Sequence, residues 1–348
     1  MKYIFKNRLW ALVLIAVAFS CQNGSEKPLG KYETGVLIMN EGNFGTNDGE
    51  IFHYNPSLRA LTGQAFELEN KRPFAGLLED MVLEEGRLYL VANTGKIEIV
   101  DPATFKSLGA VTSNLDQPRS LATASGKLFV SDYGPYDANY QTPDSYVAVI
   151  SGLDGGSVQK KIEVSDKPED LFVSGKNVLV ACSSGKVEVI DADAETLTKT
   201  LSIPGKPVQF IEYGGKLWVY SYDQTKVYFH GIDLSTLQVA EMKSRALPKA
   251  TGRIALGDEG QVYVVTSTGW PNYEDAIALI SLENGQIIAD WKNGTGYYGI
   301  GYDPQRQEVY LANAKGFQGN GEVVIYQKNG TQVLSMEVGR GPSGFLFR

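Results

Sequence analysis

The strongest constraint on this chain is a unit that recurs along it seven times. Its most regular part is a short apolar strand, seen at Val36 (VLIMNE), Leu88 (LYLVAN), Leu128 (LFVSDY), Val178 (VLVACS), Leu217 (LWVYSY), Val262 (VYVVTS) and Val309 (VYLANA). These copies lie roughly 40 to 50 residues apart, the period of a four-stranded propeller blade. A second run follows each in step: EIFHYNP from Glu50, KIEIVDP from Lys96, YVAVISG from Tyr146, KVEVIDA from Lys186, KVYFHGI from Lys226, AIALISL from Ala276 and EVVIYQK from Glu322. Both runs are rich in Val, Ile and Leu, as buried strands require, and turn residues such as Asn284-Gly285 and Asn329-Gly330 separate them from the next.

An opening strand precedes copies two to seven, as in EDMVLEEG, PRSLATAS and PEDLFVSG, and is missing before Val36. It returns at the C-terminus as PSGFLFR, Pro342 to Arg348. The expected fold is therefore all-β, a seven-bladed β-propeller closed by the C-terminal strand pairing with the N-terminal blade, which leaves no free sheet edge. The propeller is expected over residues 35–348, after a signal peptide at 1–20 and an anchor and tether at 21–34.

Lys2, Lys6 and Arg8 precede an apolar run from Leu9 to Phe19, too short to span a bilayer comfortably, which ends at Ser20-Cys21. That is the pattern of a secretory signal. Cys21 after a small residue resembles the lipobox at which bacterial lipoproteins are cleaved and acylated, and Gln22 to Leu29 reads as a polar tether. An ordinary signal peptide that happens to carry a cysteine is the other reading. Cys182, inside Val178-Leu179-Val180-Ala181, reads as a small core residue.

Without the signal, 29 of the 32 basic residues remain against 40 acidic ones, a net of about −11. Such a balance argues against nucleic acid and anionic membrane surfaces as partners, so membrane contact is expected through the lipid anchor only. His53 and His230 are the only histidines and both fall in third strands, so histidine metal clusters and His-activated nucleophiles lack material. No cofactor and no metal is expected. Gly294-Thr-Gly296-Tyr-Tyr-Gly299 matches G-x-G-x-x-G but joins two strands, so it lacks the helix that cradles a phosphate. Asn43, Asn47, Asp48 and Glu50 in the loop Asn40 to Glu50 offer oxygen ligands for Ca²⁺, against the plainer reading of a turn-rich loop. Asp80, Asp132 and Asp170 stay open to carboxylate chemistry, although nothing in the sequence pairs them, and the chain is expected to bind rather than catalyse.

Loops between the second and third strands share one face of a propeller with the entries to the inner strands. Three are minimal (Asn93 to Lys96, Ser183 to Lys186, Asp223 to Lys226) and four are expanded, starting at Asn40, Ser131, Thr266 and Ala312. The expanded loops carry Phe44, Tyr133, Tyr136, Tyr140, Trp270, Tyr273 and Phe317, aromatics suited to recognition surfaces as well as to packing their own loops. Polar residues recur at the channel mouth: Asp80, Arg119, Asp170, Gln209 and Arg253 where inner strands begin, and Asn40, Glu41, Asn93, Asp132, Tyr222 and Asn313 where second strands end. With Tyr298, these form the expected ligand face, or else a set of blade-to-blade bonds.

The repeat GKVEVIDADAETLTKTLSIPGKPVQF resembles the YncE/YVTN-type propeller family, and GVLIMNEGNFGTNDGEIFHYNP is similar to the start of lipoprotein propellers from bacteria rich in TonB-dependent transporters. The likeness covers Gly35 to Arg348 and includes the BtuG-type proteins, which capture cobalamin for such a transporter. It implies an outer-membrane, lipid-anchored protein, facing the cell surface or the periplasm. A small-molecule ligand is implied with it, a corrinoid first, and a TonB-dependent transporter as partner. The alternative is a protein-interaction or scaffolding propeller without a small-molecule ligand, and a lyase or lactonase on the same fold is a third reading.

Overall fold

A computed structural model describes residues 29–269 and 271–348. Their strands form seven four-stranded antiparallel sheets. Six of these blades are continuous in sequence, as in Pro168–Ser174, Asn177–Cys182, Lys186–Asp191 and Thr196–Ser202. The seventh is composite: Pro342–Phe347 pairs antiparallel with Val36–Asn40, followed by Glu50–Asn55 and Ala60–Thr62. The ring therefore closes as the repeat requires.

Burial explains why the second strand carried the clearest signal. Leu88 to Ala92 is buried throughout, because blades cover both faces of their middle strands. Tyr89, Val91, Ile97 and Ile99 of one blade pack against Leu128, Val130, Tyr146 and Ala148 of the next. Outer strands such as Gln238–Ala246 are exposed or half-exposed along their length, which leaves them without an apolar signature.

Acidic side chains tie neighbouring inner strands. Asp80 accepts from Met81 N–H at 2.8 Å and from the Ser120 hydroxyl at 2.6 Å, one blade on. Asp170 repeats the device, accepting from Leu171 N–H at 2.9 Å and Phe210 N–H at 2.8 Å. Such buried, bonded carboxylates fix blade spacing more than they add net stability.

One α-helix interrupts the repeat among the described residues. The helix Ala65–Asn70 links the outer strand of the composite blade to Leu78–Glu84 and buries Ala65 and Phe66, the latter edge-on to Phe74 at 5.8 Å. Asn70 bonds to both Phe66 O and Phe105 O at 2.9 Å, fastening the helix to the next blade. Both histidines are enclosed in third strands: His53 lies 2.7 Å from Thr34 O, and His230 lies 2.9 Å from the Ser221 hydroxyl, burial lowering it to about 4.

Candidate functional site

The seven inner strands, which begin at Leu78, Pro118, Pro168, Lys206, Ala250, Tyr297 and Pro342, share one irregularity. Each breaks register with its neighbour close to its start, between Leu78 and Asp80, Pro118 and Ser120, Pro168 and Leu171, Pro207 and Gln209, Ala250 and Ile254, and Tyr297 and Gly299. On the closing strand Ser343 is skipped in the same way. A bulge leaves a residue unpaired and re-aims its side chain. Those left over include Glu79, Arg119, Glu169, Val208, Arg253, Tyr298 and Ser343, and all seven line a central cavity of about 760 Å³.

Two groups of the same kind stand at its mouth. Arg253 lies over the Tyr298 ring at 4.7 Å and pairs with Glu41 at 3.3 Å, while the Tyr298 hydroxyl donates to the other Glu41 oxygen at 2.8 Å. Arg119 lies over the Tyr133 ring at 4.7 Å and approaches Glu169 at 3.4 Å, and the Tyr133 hydroxyl donates to Glu169. Arg119 also pairs with Glu79 at 2.6 Å, and Asn93 donates to the second Glu79 oxygen at 3.0 Å. Arginine stacked on an aromatic ring and paired with a carboxylate is restrained in the orientation recognition needs.

Burial pushes the Glu79 carboxyl up to about 7, against the pull of Arg119, with Glu41 adding to the rise. Burial alone would lower Arg119, yet Glu79, Tyr133, Glu169 and Glu41 hold it above its ordinary range. Burial also raises the Tyr133 and Tyr298 phenols, and the carboxylates they face raise them further, so both stay protonated donors. Beneath this lining two polar atoms are buried without a hydrogen-bond partner: Arg119 Nε, 3.4 Å from Glu169 but misaligned with it, and Ser343 Oγ.

The structure gathers some of the expected residues here and sends others elsewhere. Arg119, Arg253, Tyr298, Tyr222, Asp80, Asp170 and Phe317 line the central cavity, where Phe317 packs edge-on to Tyr298 at 4.9 Å. Glu41, Asn93 and Phe44 line a recess of about 210 Å³ that shares Glu79 and Phe317 with the cavity. Asp132 accepts three backbone N–H groups, from Asp116, Gln117 and Gly134, which makes it a loop clamp. Asn40 is buried under its own strand, donating to Ile38 O and Glu50 O, and Asn313 bonds Thr295 O at 2.7 Å. Tyr136 and Tyr140 are exposed on the rim with rings 6.3 Å apart. Trp270 and Cys21 lie outside the described residues.

Glu79, Glu169, Val208 and Ser343 were not singled out in the sequence, and the bulge is the reason. A regular strand turns only every second side chain inward, whereas the bulge brings Glu79 and Glu169 to the cavity beside Asp80 and Asp170. The available signal was the start of the inner strand, since Pro118, Pro168, Pro207 and Pro342 each immediately precede a bulged residue.

Known structures share this architecture at low identity. A quinonprotein alcohol dehydrogenase-like protein from Bacteroides thetaiotaomicron is 14% identical, with a TM-score of 0.65 over 89% of this chain and 77% of that one. Candidate 6-phosphogluconolactonases from Bacteroides fragilis (13% identical, TM-score 0.64, 89% of this chain and 97% of that one) and Bacteroides uniformis (14%, 0.63, 90% and 99%) are equally similar. At such identities the likeness is one of fold. No curated protein matches the chain. Residues 34–348 match the family described as Domain of unknown function (DUF5074), and the chain, with its seven blades and C-terminal closure, belongs to that family.

Proposed function

We propose that this chain is a cell-envelope lipoprotein that holds a small-molecule ligand at the mouth of its central channel and hands it to a TonB-dependent outer-membrane transporter. The carrying observation is the cavity of about 760 Å³, lined by Arg119, Arg253, Tyr298, Glu79 and Glu169. That volume suits a bound organic molecule or a protruding part of a larger one. Phenols held protonated and arginines locked by stacking favour holding a ligand over reacting with it. A corrinoid, the first candidate by family resemblance, is larger than the cavity's usual class of ligand. It would rest across the expanded loops with one flank entering.

Calorimetry and absorbance titration of the mature protein with cyanocobalamin, other corrinoids and iron chelates are expected to give one-to-one binding to one of them. Arg253→Ala should weaken it by at least about tenfold, roughly 1.4 kcal/mol. Blank titrations with the whole panel would overturn the reading. For the anchor, acylation at Cys21 should place the protein in the detergent phase of envelope extracts, and Cys21→Ala should release it to the aqueous phase. An unchanged partition would count against lipidation.

The exposed Phe44, Tyr136 and Tyr140 support a second reading, a protein-docking face. A stable envelope partner lost on Phe44→Ala and Tyr136→Ala, together with blank ligand titrations, would favour it.

A further inference from the structure

Resting on the ligand-binding reading above, we propose that the channel mouth selects an uncharged group that carries a hydrogen-bond donor and an acceptor on neighbouring atoms, as a carboxamide or a vicinal diol does. Arg253 owns five N–H donors, and its side-chain contact to Glu41 uses one of them. Glu41 receives Arg253 and the Tyr298 hydroxyl, which leaves about half of its acceptor positions open. Donors of one residue therefore lie beside acceptors of another, and stacking on Tyr298 holds them in place.

Charge decides what such an edge accepts. A carboxylate or phosphate drawn to Arg253 meets the electrostatic cluster of Glu41, Glu79 and Glu169, whereas an ammonium drawn to Glu41 meets Arg253 and Arg119. Each ion is opposed by a like charge in the same cluster, and a neutral donor–acceptor pair keeps both bonds without that opposition. Tyr298 and Phe317, edge-to-face at 4.9 Å, supply flat apolar walls for the scaffold that carries the group.

An isosteric series tests the preference: benzamide, benzoate, benzylamine and, for the diol, cis-1,2-cyclohexanediol, each titrated against the mature protein by ligand-observed NMR. Benzamide or the diol is expected to bind at least about tenfold more tightly than benzoate and benzylamine, and whichever of the two wins identifies the source of the group. Glu41→Gln removes a negative charge and an acceptor together, so it should weaken benzamide and raise benzoate, narrowing the gap between them by about fivefold or more. If that variant does not fold, Arg253→Gln makes the converse test, with benzylamine gaining. Equal binding of the charged and neutral fragments overturns the proposal, as does silence from all four while a whole ligand still binds by calorimetry. Silence from the fragments and the whole ligands alike removes the ligand-binding reading as well.

Discussion

Deleting residues 342–348 is expected to abolish cooperative folding of the propeller, because those few residues close its ring. Their strand pairs with Val36–Asn40 in the register Val36 to Phe347, Leu37 to Leu346 and Ile38 to Phe345. Gly35 and Arg348 exchange backbone hydrogen bonds at 3.3 and 2.8 Å, and the Arg348 side chain donates to Pro102 O at 2.6 Å in the next blade. Phe345 and Phe347 pack against the buried Tyr310 at 5.6 and 5.1 Å. Gly301 leaves room for them, since a Cβ there would stand 2.8 Å from the Phe345 ring and 3.0 Å from that of Phe347. Without the strand, Val36, Leu37 and Ile38, all fully buried, would face solvent along an unpaired edge, a template for aggregation. Phe347→Ala grades the effect. Partial burial puts its cost at about 2–3 kcal/mol, a fall of about 5 °C in Tm for a chain of this size, read by thermal circular dichroism. A truncated chain that melts cooperatively at the wild-type temperature would show that closure is not what holds the ring.

How much of this was legible in the sequence follows from which residues are buried on both sides. Middle strands such as Leu88 to Ala92 are enclosed by two blades, so selection for packing writes a continuous apolar run, and the repeat, the blade number and the terminal closure could be read from it. The helix Ala65–Asn70 could not, because AFELEN is too short for a period and is held by contacts to Phe74 and Phe105 that no local pattern reveals. At the site the legible part was composition, and the illegible part was phase. Arg119, Arg253 and Tyr298 were placed at the mouth by position alone, whereas the bulge brought Glu79 and Glu169 to the cavity beside Asp80 and Asp170, whose carboxylates also tie neighbouring blades. Asp132 misleads in another way, since a carboxylate at a strand end looks free in sequence and two of its three backbone partners, Asp116 and Gln117, lie in a loop 15 or so residues away.

Arg119→Met is expected to destabilise the protein by about 3 kcal/mol at pH 8, with a much smaller loss at pH 5.5. Arg119 holds Glu79 at 2.6 Å and faces Glu169 at 3.4 Å, and removing a cation from such a buried group leaves uncompensated charge, at a cost of about 3–5 kcal/mol. The pH dependence follows from Glu79, whose carboxyl is already raised to about 7 from an ordinary 4.5. Between those values the folded state binds more protons than the unfolded one, so the stability this group contributes is fully present at low pH and declines as pH climbs through 7. Loss of Arg119 raises the folded value further and steepens the decline. Glu79→Gln on its own should flatten the pH profile of the wild type, and in combination with Arg119→Met it should recover most of the lost stability, as a double-mutant cycle in urea will measure. Additive losses in that cycle would mean that the Arg119 contribution is packing against Tyr133 and not neutralisation of Glu79. Stability recovered in the double variant while ligand affinity stays lost would separate two duties of the arginine, charge balance for the fold through Glu79 and the contact with a ligand proposed above.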